Sequence, residues 1–289
     1  MFVRRRRRLK LLLLAGVLAG CSSTAAEVPV FEADLISEFS APNARQGIAV
    51  DDRYAYAVTN YAISKHDKNT GEILASWTGK GEGDPLTHMD SLVALDGRLY
   101  ASHSNYPEWP MTSSIEIWDA DTLTHVDTHS FGIQRGSLTW LDWHEGHWWG
   151  AFANYDKVQI GQSEPYGVTD RTQIVKFDDR FVVIESWTLP KEILDRMRPM
   201  SNSGGSWGAD GYLYLTGHDR GETYVMELPE AGSVLHWAAT VRVPIMEGQG
   251  IAWDRSEDQP ILWAIYKRER KILKIRMPKI THARPQGAE

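Results

Sequence analysis

A short group of β-strands recurs five times along this 289-residue chain and restricts its fold more than any other feature. Each unit begins with a small residue and a short apolar segment, as in Gly47-Ile48-Ala49-Val50 and Gly250-Ile251-Ala252-Trp253. A turn, a second strand rich in aromatic and β-branched residues, and a third strand follow in each unit. Such repetition predicts an architecture in which each unit is one sheet that packs against its neighbours.

The spacing of the units supports this interpretation. Equivalent positions in the five first strands are Ile48, Leu92, Leu138, Ser206 and Ile251. Successive positions are 44, 46, 68 and 45 residues apart, close to the roughly 40–50 residues of known propeller repeats except at the third step. We attribute the long step to insertions at residues 154–171 and 191–204, the second of which is predicted to hold a short helix at residues 191–197.

The fourth strands indicate how the repeat closes. Fourth strands are predicted in the first four units, at residues 72–77, 124–131, 182–189 and 234–243. The fifth unit ends near residue 278 without one, and a matching strand lies at residues 33–39. A terminal strand that completes the last sheet is typical of a closed β-propeller, which leaves no long exposed edges. We therefore predict an all-β propeller of five four-stranded blades, with a β-sandwich as the alternative.

The first 20 residues have the pattern of a secretory signal. Residues 4–8 are arginines, and residues 11–18 form an apolar segment too short to span a bilayer. The sequence Leu18-Ala19-Gly20-Cys21 resembles the lipobox of bacterial lipoproteins. That resemblance implies cleavage before Cys21 and acylation of Cys21, for example with palmitate. With Ser22 next, it also implies an outer-membrane location facing the periplasm.

The charge and cysteine content narrow the chemistry. Cys21 is the only cysteine, so the predicted mature chain has neither a disulfide nor a catalytic thiol. Removal of residues 1–20 changes the net charge from −7 to −13, because that segment holds six basic and no acidic residues. Nucleic acid is thereby disfavoured as a partner. The expected partners are a membrane, through the lipid, and a small-molecule or glycan ligand.

These observations predict four segments along the chain. They are a signal peptide (residues 1–20), a lipidated Cys and short tether (21–32), one β-propeller domain (33–280) and a flexible tail (281–289). The tether is short, so the propeller is expected to lie close to the membrane surface.

Propeller topology predicts which face carries the site. The loops that join strand four to the next strand one, and strand two to strand three, lie on the same face around the axis, and loops generally carry function. In this chain those loops are rich in hydrogen-bonding and ionisable side chains, whereas the opposite turns are ordinary hairpins. The candidate ligand-binding residues on this axial face are Gln46, Tyr61, Tyr106, Arg135, Tyr155, Asp156, Asp219, Arg220, Gln249, Lys267 and Arg268.

Three histidines and one aspartate on the axial face are the candidate catalytic residues. His103 and His218 lie at matching places in units two and four, either as a general base or metal ligand or as structural imidazoles. His88 and Asp90 are predicted to form an acid–base pair or two metal ligands, with Asp90 as a strand cap in the alternative. No motif indicates a cofactor, and a divalent metal at these side chains is left open.

The remaining candidates have similar alternatives. Arg220, Lys267 and Arg268 are expected to focus positive charge on an anionic group or to form a solvated rim. The repeated Asn-Tyr pairs that contain Tyr106 and Tyr155 are interpreted as a turn-forming Asn followed by a ligand-binding Tyr. The HExxH motif and the Walker loop are absent from the sequence, so the enzyme classes that they mark lose support.

One family resemblance extends over about one blade. Gln46-Gly47-Ile48, Tyr54 to Tyr56 and the hairpin at residues 65–74 resemble the first blade of the plant and bacterial type of glutaminyl cyclotransferase, a five-bladed propeller family. That family has a catalytic glutamate just after the tyrosine that matches Tyr56, where this chain has Ala57. The resemblance therefore implies the architecture and the use of the axial face rather than the family's reaction.

Two functions are consistent with the sequence. The first is an enzyme of hydrolase, lyase or cyclotransferase type acting on a small polar, anionic substrate such as an acidic sugar or an acylated amine. In that case His103 or His218 would act as base while Arg220 and Lys267 hold negative charge. The alternative is a non-catalytic lipoprotein that binds an envelope partner or ligand on the same face. A buried His–carboxylate pair within hydrogen-bond reach would favour the enzyme, and a broad, shallow aromatic surface would favour the binding protein.

Overall fold

The structure, a computed structural model, describes residues 27–79, 85–133, 135–165, 167–218, 221–243 and 245–281. Its strands form five sheets, and each sheet contains the four strands of one propeller blade. The prediction of a five-bladed, all-β propeller is confirmed. The predicted signal peptide, Cys21, Asp219 and Arg220 lie outside the described residues.

The elements follow the predicted order along the chain. Two strands precede the first blade: β1 (Val30–Glu32) and β2 (Asp34–Ser40). The first blade contains β3 (Gly47–Val50), β4 (Tyr54–Thr59), β5 (Ala62–Asp67) and β6 (Ile73–Thr78). The second contains β7 (His88–Leu95), β8 (Arg98–Ser104), β9 (Thr112–Asp119) and β10 (His125–Ile133).

The later blades carry the insertions. The third blade contains β11 (Ser137–His144), β12 (His147–Ala153), β13 (Gln173–Phe177) and β14 (Val183–Trp187). The fourth contains β15 (Gly204–Trp207), β16 (Leu213–Thr216), β17 (Glu222–Glu227) and β18 (His236–Arg242). The fifth contains β19 (Ala252–Trp253), β20 (Ile261–Tyr266) and β21 (Lys271–Arg276). A 3₁₀ turn (Thr169–Arg171) lies in the first insertion, and the predicted helix, α1 (Lys191–Met197), is present in the second.

Burial falls from the centre of the propeller to its rim. The innermost strands β3, β7, β11, β15 and β19 contact one another in a ring and are largely buried. The outer strands β6 and β10 are mostly exposed. Inner strands are covered by neighbouring blades on both sides and are therefore apolar or small, whereas the blades diverge toward the rim and leave one face of the outer strands in water.

The small residue at the start of each unit has a steric cause at the axis. A Cβ atom on Gly47 would lie 2.9 Å from the carbonyl oxygen of Asp90 and 3.2 Å from the Cα atom of Gly250. Three inner strands therefore approach one another closely at this point. Only a residue without a side chain fits there, which accounts for the pattern that marks the repeat.

The amino-terminal strand closes the ring as predicted. Strand β2 pairs antiparallel with β21, with Leu35 opposite Ile275 and Phe39 opposite Ile272. The first and fifth blades are also joined by a buried ion pair, in which Lys68 Nζ lies 3.0 Å from Asp254 Oδ2. The closure therefore combines a shared sheet with an electrostatic contact between neighbouring blades.

One strand was not expected from the sequence. Strand β1 lies within the segment predicted as a tether and pairs parallel with β18, with Val30 opposite Thr240. The amide of Thr240 donates to Pro29 O, and the amide of Ala33 donates to Arg242 O. This pairing satisfies backbone groups at the outer edge of the fourth blade, which a three-residue strand with no alternating pattern does not reveal in sequence.

The helical content gives no candidate membrane span. Within the residues that the structure describes, no helix has the length and apolar character needed to cross a bilayer.

Candidate functional site

Four predicted site residues from two blades converge at the axial face. His88 and Asp90 lie at the start of β7, Tyr106 follows β8, and Tyr155 follows β12 in the third blade. The ring centroid of Tyr106 is 5.2 Å from that of His88 and 5.0 Å from that of Tyr155. These contacts bring the second-blade pair together with a side chain of the third blade, and we call the four residues the axial cluster.

A β-bulge sets the position of Asp90. His88 and Met89 pair with Ser104 and His103, but Ser91 pairs with Ser102, so Asp90 is an extra residue in β7. The hydroxyl of Ser102 accepts the Ser91 amide at 2.9 Å and so satisfies a backbone donor at the bulge. A bulge turns a side chain out of the regular alternation of the strand, and bulges are frequent beside active sites.

The Asp90 carboxylate is buried and only partly satisfied. Its Oδ1 atom lies 3.2 Å from His88 Nε2, and the residue is 4% exposed. Its Oδ2 atom has no hydrogen-bond partner among the described residues. Burying a carboxylate oxygen without a donor is costly, and buried polar groups in folded proteins are nearly always paired. Asp90 Oδ2 is therefore a buried acceptor that the described residues leave unsatisfied.

The charge of Asp90 shifts the protonation of its neighbours. Burial lowers the pKa of His88, but the charge of Asp90 and its hydrogen bond outweigh that effect and place the pKa above 6.5. Burial, reinforced by the charge of Asp90, raises the pKa of Tyr106. Burial also raises the pKa of Tyr155 well above 10, although a hydrogen bond with Ser137 opposes the shift. Near neutral pH the two tyrosines are therefore un-ionised, and His88 retains its proton to a higher pH than an isolated histidine.

Two serines that we did not single out as site residues support the cluster. Ser104 lies opposite His88 in the sheet, and its Oγ atom is 2.7 Å from Ser137 Oγ across the blade boundary. Ser137 in turn bonds Tyr155. In the sequence, Ser137 is notable only as the small residue at the start of the third unit. Packing at the axis explains a small residue there equally well, so the sequence did not identify Ser137 as part of the site.

His103 is engaged in the interior of the second blade. Its Nε2 atom accepts the Thr87 amide at 3.1 Å, and its Nδ1 atom is 2.9 Å from Ser114 Oγ. Ser114 donates to Glu116, whose other carboxylate oxygen is 2.8 Å from His125 Nε2. Because Nε2 is an acceptor, Nδ1 carries the proton and donates to Ser114. These bonds favour the structural alternative for His103.

His218 lies in a different environment from the axial cluster. It lines a cavity of about 160 Å³ together with Met197 and Arg198 at the end of α1. The Lys267 ammonium donates to the backbone carbonyl of His218 at 3.2 Å. Neither His88 nor Asp90 lines that cavity.

Several predicted charged residues are neutralised by neighbours. The Arg268 guanidinium lies 2.5 Å from Glu247 Oε1, and its backbone amide donates to Glu247 Oε2 at 3.0 Å. Asp156 accepts from Arg198 and from the Thr169 amide. Burial raises the pKa of Asp156, but these hydrogen bonds and the charge of Arg198 outweigh it and leave the pKa below 3.8. Arg268 and Asp156 are thus paired within the protein, as expected of a structural role.

The remaining polar candidates are distributed around the face. The Gln46 amide donates to Asn60, and the buried Gln249 side chain accepts from Ser203 Oγ at 3.0 Å. Tyr61 is half exposed and lines a rim cavity of about 530 Å³. Arg135 lines a separate cavity at the third blade. The axial face therefore holds one compact polar cluster surrounded by residues that mainly connect loops.

The asparagines of the repeated Asn-Tyr pairs hold turns, in agreement with their predicted role. Asn105 donates to Pro110 O at 2.8 Å and accepts the Thr112 amide at 2.7 Å. Asn154 donates to two loop carbonyls at 3.2 Å each. The tyrosine that follows each asparagine then points toward its counterpart in the next blade.

The structure offers two further observations on chemistry. Across the described ranges, no three His, Cys, Asp or Glu side chains are grouped so that they could hold a metal ion.

Ala57, at the position where the resembling family has its catalytic glutamate, is fully buried in an apolar cluster with Ile48 and Ile265. That position therefore contributes packing in this chain.

Comparison with known proteins finds a solved structure of similar fold. Neither a protein-family model nor a curated protein sequence matches the chain. The crystal structure of a glutaminyl cyclase from Myxococcus xanthus superposes with a TM-score of 0.58 at 12% sequence identity, covering 86% of this chain and 98% of that one. At this identity the likeness supports a shared propeller fold.

Proposed function

We propose that this protein is an enzyme that carries out general acid–base chemistry on a small polar substrate at the axial cluster. The observation that carries the proposal is the buried Asp90 carboxylate, which has one oxygen 3.2 Å from His88 Nε2 and the other without a partner in the described structure. A His–carboxylate pair within hydrogen-bond reach is the feature that separates an enzyme from a shallow binding surface. The fold likeness to a glutaminyl cyclase is compatible with this proposal.

In the proposed reaction Asp90 acts as the base. Asp90 Oδ2 accepts a hydrogen bond from a substrate amide, amine or hydroxyl, and so is placed to take its proton. The His88 imidazolium balances the carboxylate charge, and the un-ionised Tyr106 hydroxyl is available as a donor to a developing oxyanion. This arrangement suits proton transfer in a hydrolase, lyase or cyclotransferase, with an acylated amine or an acidic sugar as substrate.

The charges favour recognition of the substrate mainly through hydrogen-bond donors. Arg268, expected to attract an anionic group, is already neutralised by Glu247. A buried Asp90 carboxylate repels an anion brought close to it. We therefore propose that any acidic group of the substrate lies toward Lys267, away from Asp90.

A binding protein without catalysis is the second candidate. It is favoured by the internal hydrogen bonds of His103, which was a candidate base, and by Ala57, which stands where the resembling family has its catalytic glutamate. In that case the Asp90 oxygen would recognise a ligand donor without transferring a proton.

The first test concerns the protonation of His88. NMR titration of the histidine ring carbons in the full chain should give a pKa above 6.5 for His88, as its contacts with Asp90 require. In Asp90→Asn the charge is lost while burial is kept, so the His88 pKa should fall below 6.5. An unchanged His88 pKa in Asp90→Asn would show that the two side chains do not interact.

The second test concerns the ligand. Acylated amines, including glutaminyl peptides, and uronic acids are screened by thermal shift and by product formation. A compound that is turned over by the wild type should not be turned over by Asp90→Asn or His88→Gln. His236→Gln is the matched control, because His236 also pairs with a carboxylate, at 3.1 Å, but is 67% exposed at the rim. Binding of an acylated amine that survives in Asp90→Asn without turnover in any variant would favour the second candidate.

We further propose that the chain is a lipoprotein anchored through Cys21 at the outer membrane and facing the periplasm. The lipobox-like sequence before Cys21 supports this proposal. Incorporation of labelled palmitate into the wild type but not into Cys21→Ala, with loss of the variant from the membrane fraction, is the expected result. Equal membrane association of both would contradict it.

A further inference from the structure

A separate cavity opens at the rim of the third blade. It has a volume of about 440 Å³ and is lined by Arg135 and Arg171 together with Gln173, Ser186, Trp187 and Thr188. Binding sites for small ligands occupy roughly 300–1,000 Å³, so this cavity is large enough for one. None of the axial-cluster residues lines it.

The buried side-chain amide of Asn154 fixes the backbone of both arginines. The Asn154 side chain is 7% exposed, and its Nδ2 atom donates to the backbone carbonyls of Arg135 and Arg171 at 3.2 Å each. The backbone N–H of Asn154 donates to Thr172 Oγ1 at 3.1 Å. Two loops that are 36 residues apart in sequence, at positions 135 and 171, are thereby held on the same cavity.

Both guanidinium groups lack an acidic partner in the described structure. Among the described residues, no ion pair joins Arg135 or Arg171 to a carboxylate, and the Arg135 guanidinium lies over the Phe152 ring, 5.6 Å from its centroid. The one carboxylate that lines the cavity, Asp170, is paired with Arg198. Two uncompensated cations on one cavity of an acidic protein create a local positive field that attracts an anion.

The rest of the lining suits a polyhydroxylated ring. Gln173, Ser186 and Thr188 offer side-chain donors and acceptors. Trp187 stacks on Trp149, with ring centroids 5.4 Å apart and an interplanar angle of 19°, and also lines the cavity. A tryptophan combines a broad apolar face with a polar edge, which suits it to pack against the C–H face of a sugar.

We propose that this cavity is a second binding site, which takes an acidic saccharide with the carboxylate of a uronate held between Arg135 and Arg171. The hydroxyls of the sugar bond the polar lining, and its ring packs on Trp187. The site is independent of the reaction proposed for the axial cluster, and it gives the enzyme a means to remain on an acidic glycan.

The test uses D-glucuronate as the probe and isothermal titration calorimetry on the full chain. Saturable binding of glucuronate is expected. D-glucose and acetate should both bind more weakly, because glucose lacks the carboxylate and acetate lacks the sugar ring. Arg135→Gln and Arg171→Gln should each weaken binding by about tenfold, the effect of one lost charge-assisted bond. Arg180→Gln is the matched control, since Arg180 is 80% exposed and pairs with Asp178 away from the cavity.

The variants also separate this site from the axial cluster. Asp90→Asn should leave glucuronate affinity unchanged, and Ser186→Ala should weaken glucuronate binding without affecting acetate. Thermal melts of each variant verify that the propeller is intact. Glucuronate binding that is equal in the wild type, Arg135→Gln and Arg171→Gln would overturn the proposal. Inorganic phosphate that binds as tightly as glucuronate would overturn the saccharide assignment.

Discussion

The buried ion pair between the first and fifth blades gives a sharp test of how the ring is held closed. Lys68 Nζ lies 3.0 Å from Asp254 Oδ2, and the two side chains are 5% and 1% exposed. The ammonium also donates to Asp51 O and Ser256 Oγ, both at 2.8 Å. Substitution Lys68→Met keeps much of the volume but leaves Asp254 as a buried charge without its cation.

The expected cost follows from the partners that remain. Loss of one member of a buried pair costs about 3–5 kcal/mol. Asp254 keeps Ser256 Oγ at 2.7 Å and Trp263 Nε1 at 2.8 Å as donors, which places the expected loss at the lower end of that interval. For a domain of this size, about 3 kcal/mol corresponds to a fall of roughly 6–12 °C in Tm.

The ionisation of Asp254 gives the pH dependence of the free energy of unfolding a defined sign. Burial raises the pKa of Asp254, but hydrogen bonds from Ser256, Trp263 and Lys68 outweigh it and leave the pKa below 3.8. Ionised Asp254 therefore stabilises the wild type above pH 3.8, and this stabilisation is lost as the pH falls through the lowered folded-state pKa. In Lys68→Met the folded-state pKa rises, so the deficit relative to the wild type is largest at neutral pH and shrinks toward acid.

Urea unfolding followed by tryptophan fluorescence at pH 7 and pH 4.5 measures both effects. Lys191→Met, which removes a 76% exposed lysine, should cost less than about 0.5 kcal/mol. The double variant Lys68→Met/Asp254→Asn should be more stable than Lys68→Met, because the uncompensated charge is gone. A loss below about 1 kcal/mol in Lys68→Met, or an equal loss at both pH values, would refute the reasoning.

Three further predictions concern the axis and the interior of the blades. Gly47→Ala should cost about 1–3 kcal/mol in urea unfolding, because the new Cβ meets backbone of Asp90 and Gly250, which cannot move aside cheaply. Tyr56→Phe removes a 2.8 Å hydrogen bond to Asp51 and should cost about 1.5 kcal/mol by the same assay; an unchanged midpoint would argue against that bond. His103→Asn should lower stability by about 1–3 kcal/mol while leaving the His88 NMR titration unchanged, and a shifted His88 pKa would instead connect His103 to the axial cluster.

Much of the fold is accessible from sequence because its signals are local. The alternation within strands, the turns between them and the small residue at the axis recur in each unit. The helix predicted in the second insertion is present at Lys191–Met197. The closing strand β2 could be assigned because it resembles the fourth strands of other blades. Strand β1 could not, because three residues carry no periodic pattern and their partner β18 lies about 210 residues away.

The site was only partly accessible. Topology placed His88, Asp90, Tyr106 and Tyr155 on one face, and the structure brings these four together. His218 lines a cavity that none of these four residues lines, and His103 makes internal hydrogen bonds. Matching positions in different blades are related by rotation about the axis, so equivalence in sequence predicts the same face but not mutual contact.

The amino-acid sequence alone specified a ring of five blades, its closure by the amino-terminal strand and the face rich in polar loops, because each depends on strand period, turn chemistry and order along the chain. It did not specify the bulge that turns Asp90 into the axial cluster, the neutralisation of Arg268 by Glu247, or the pair of arginines held by Asn154. Those features depend on register and on the approach of loops from separate strands, and their energies arise from distances of a few ångströms that no local pattern encodes.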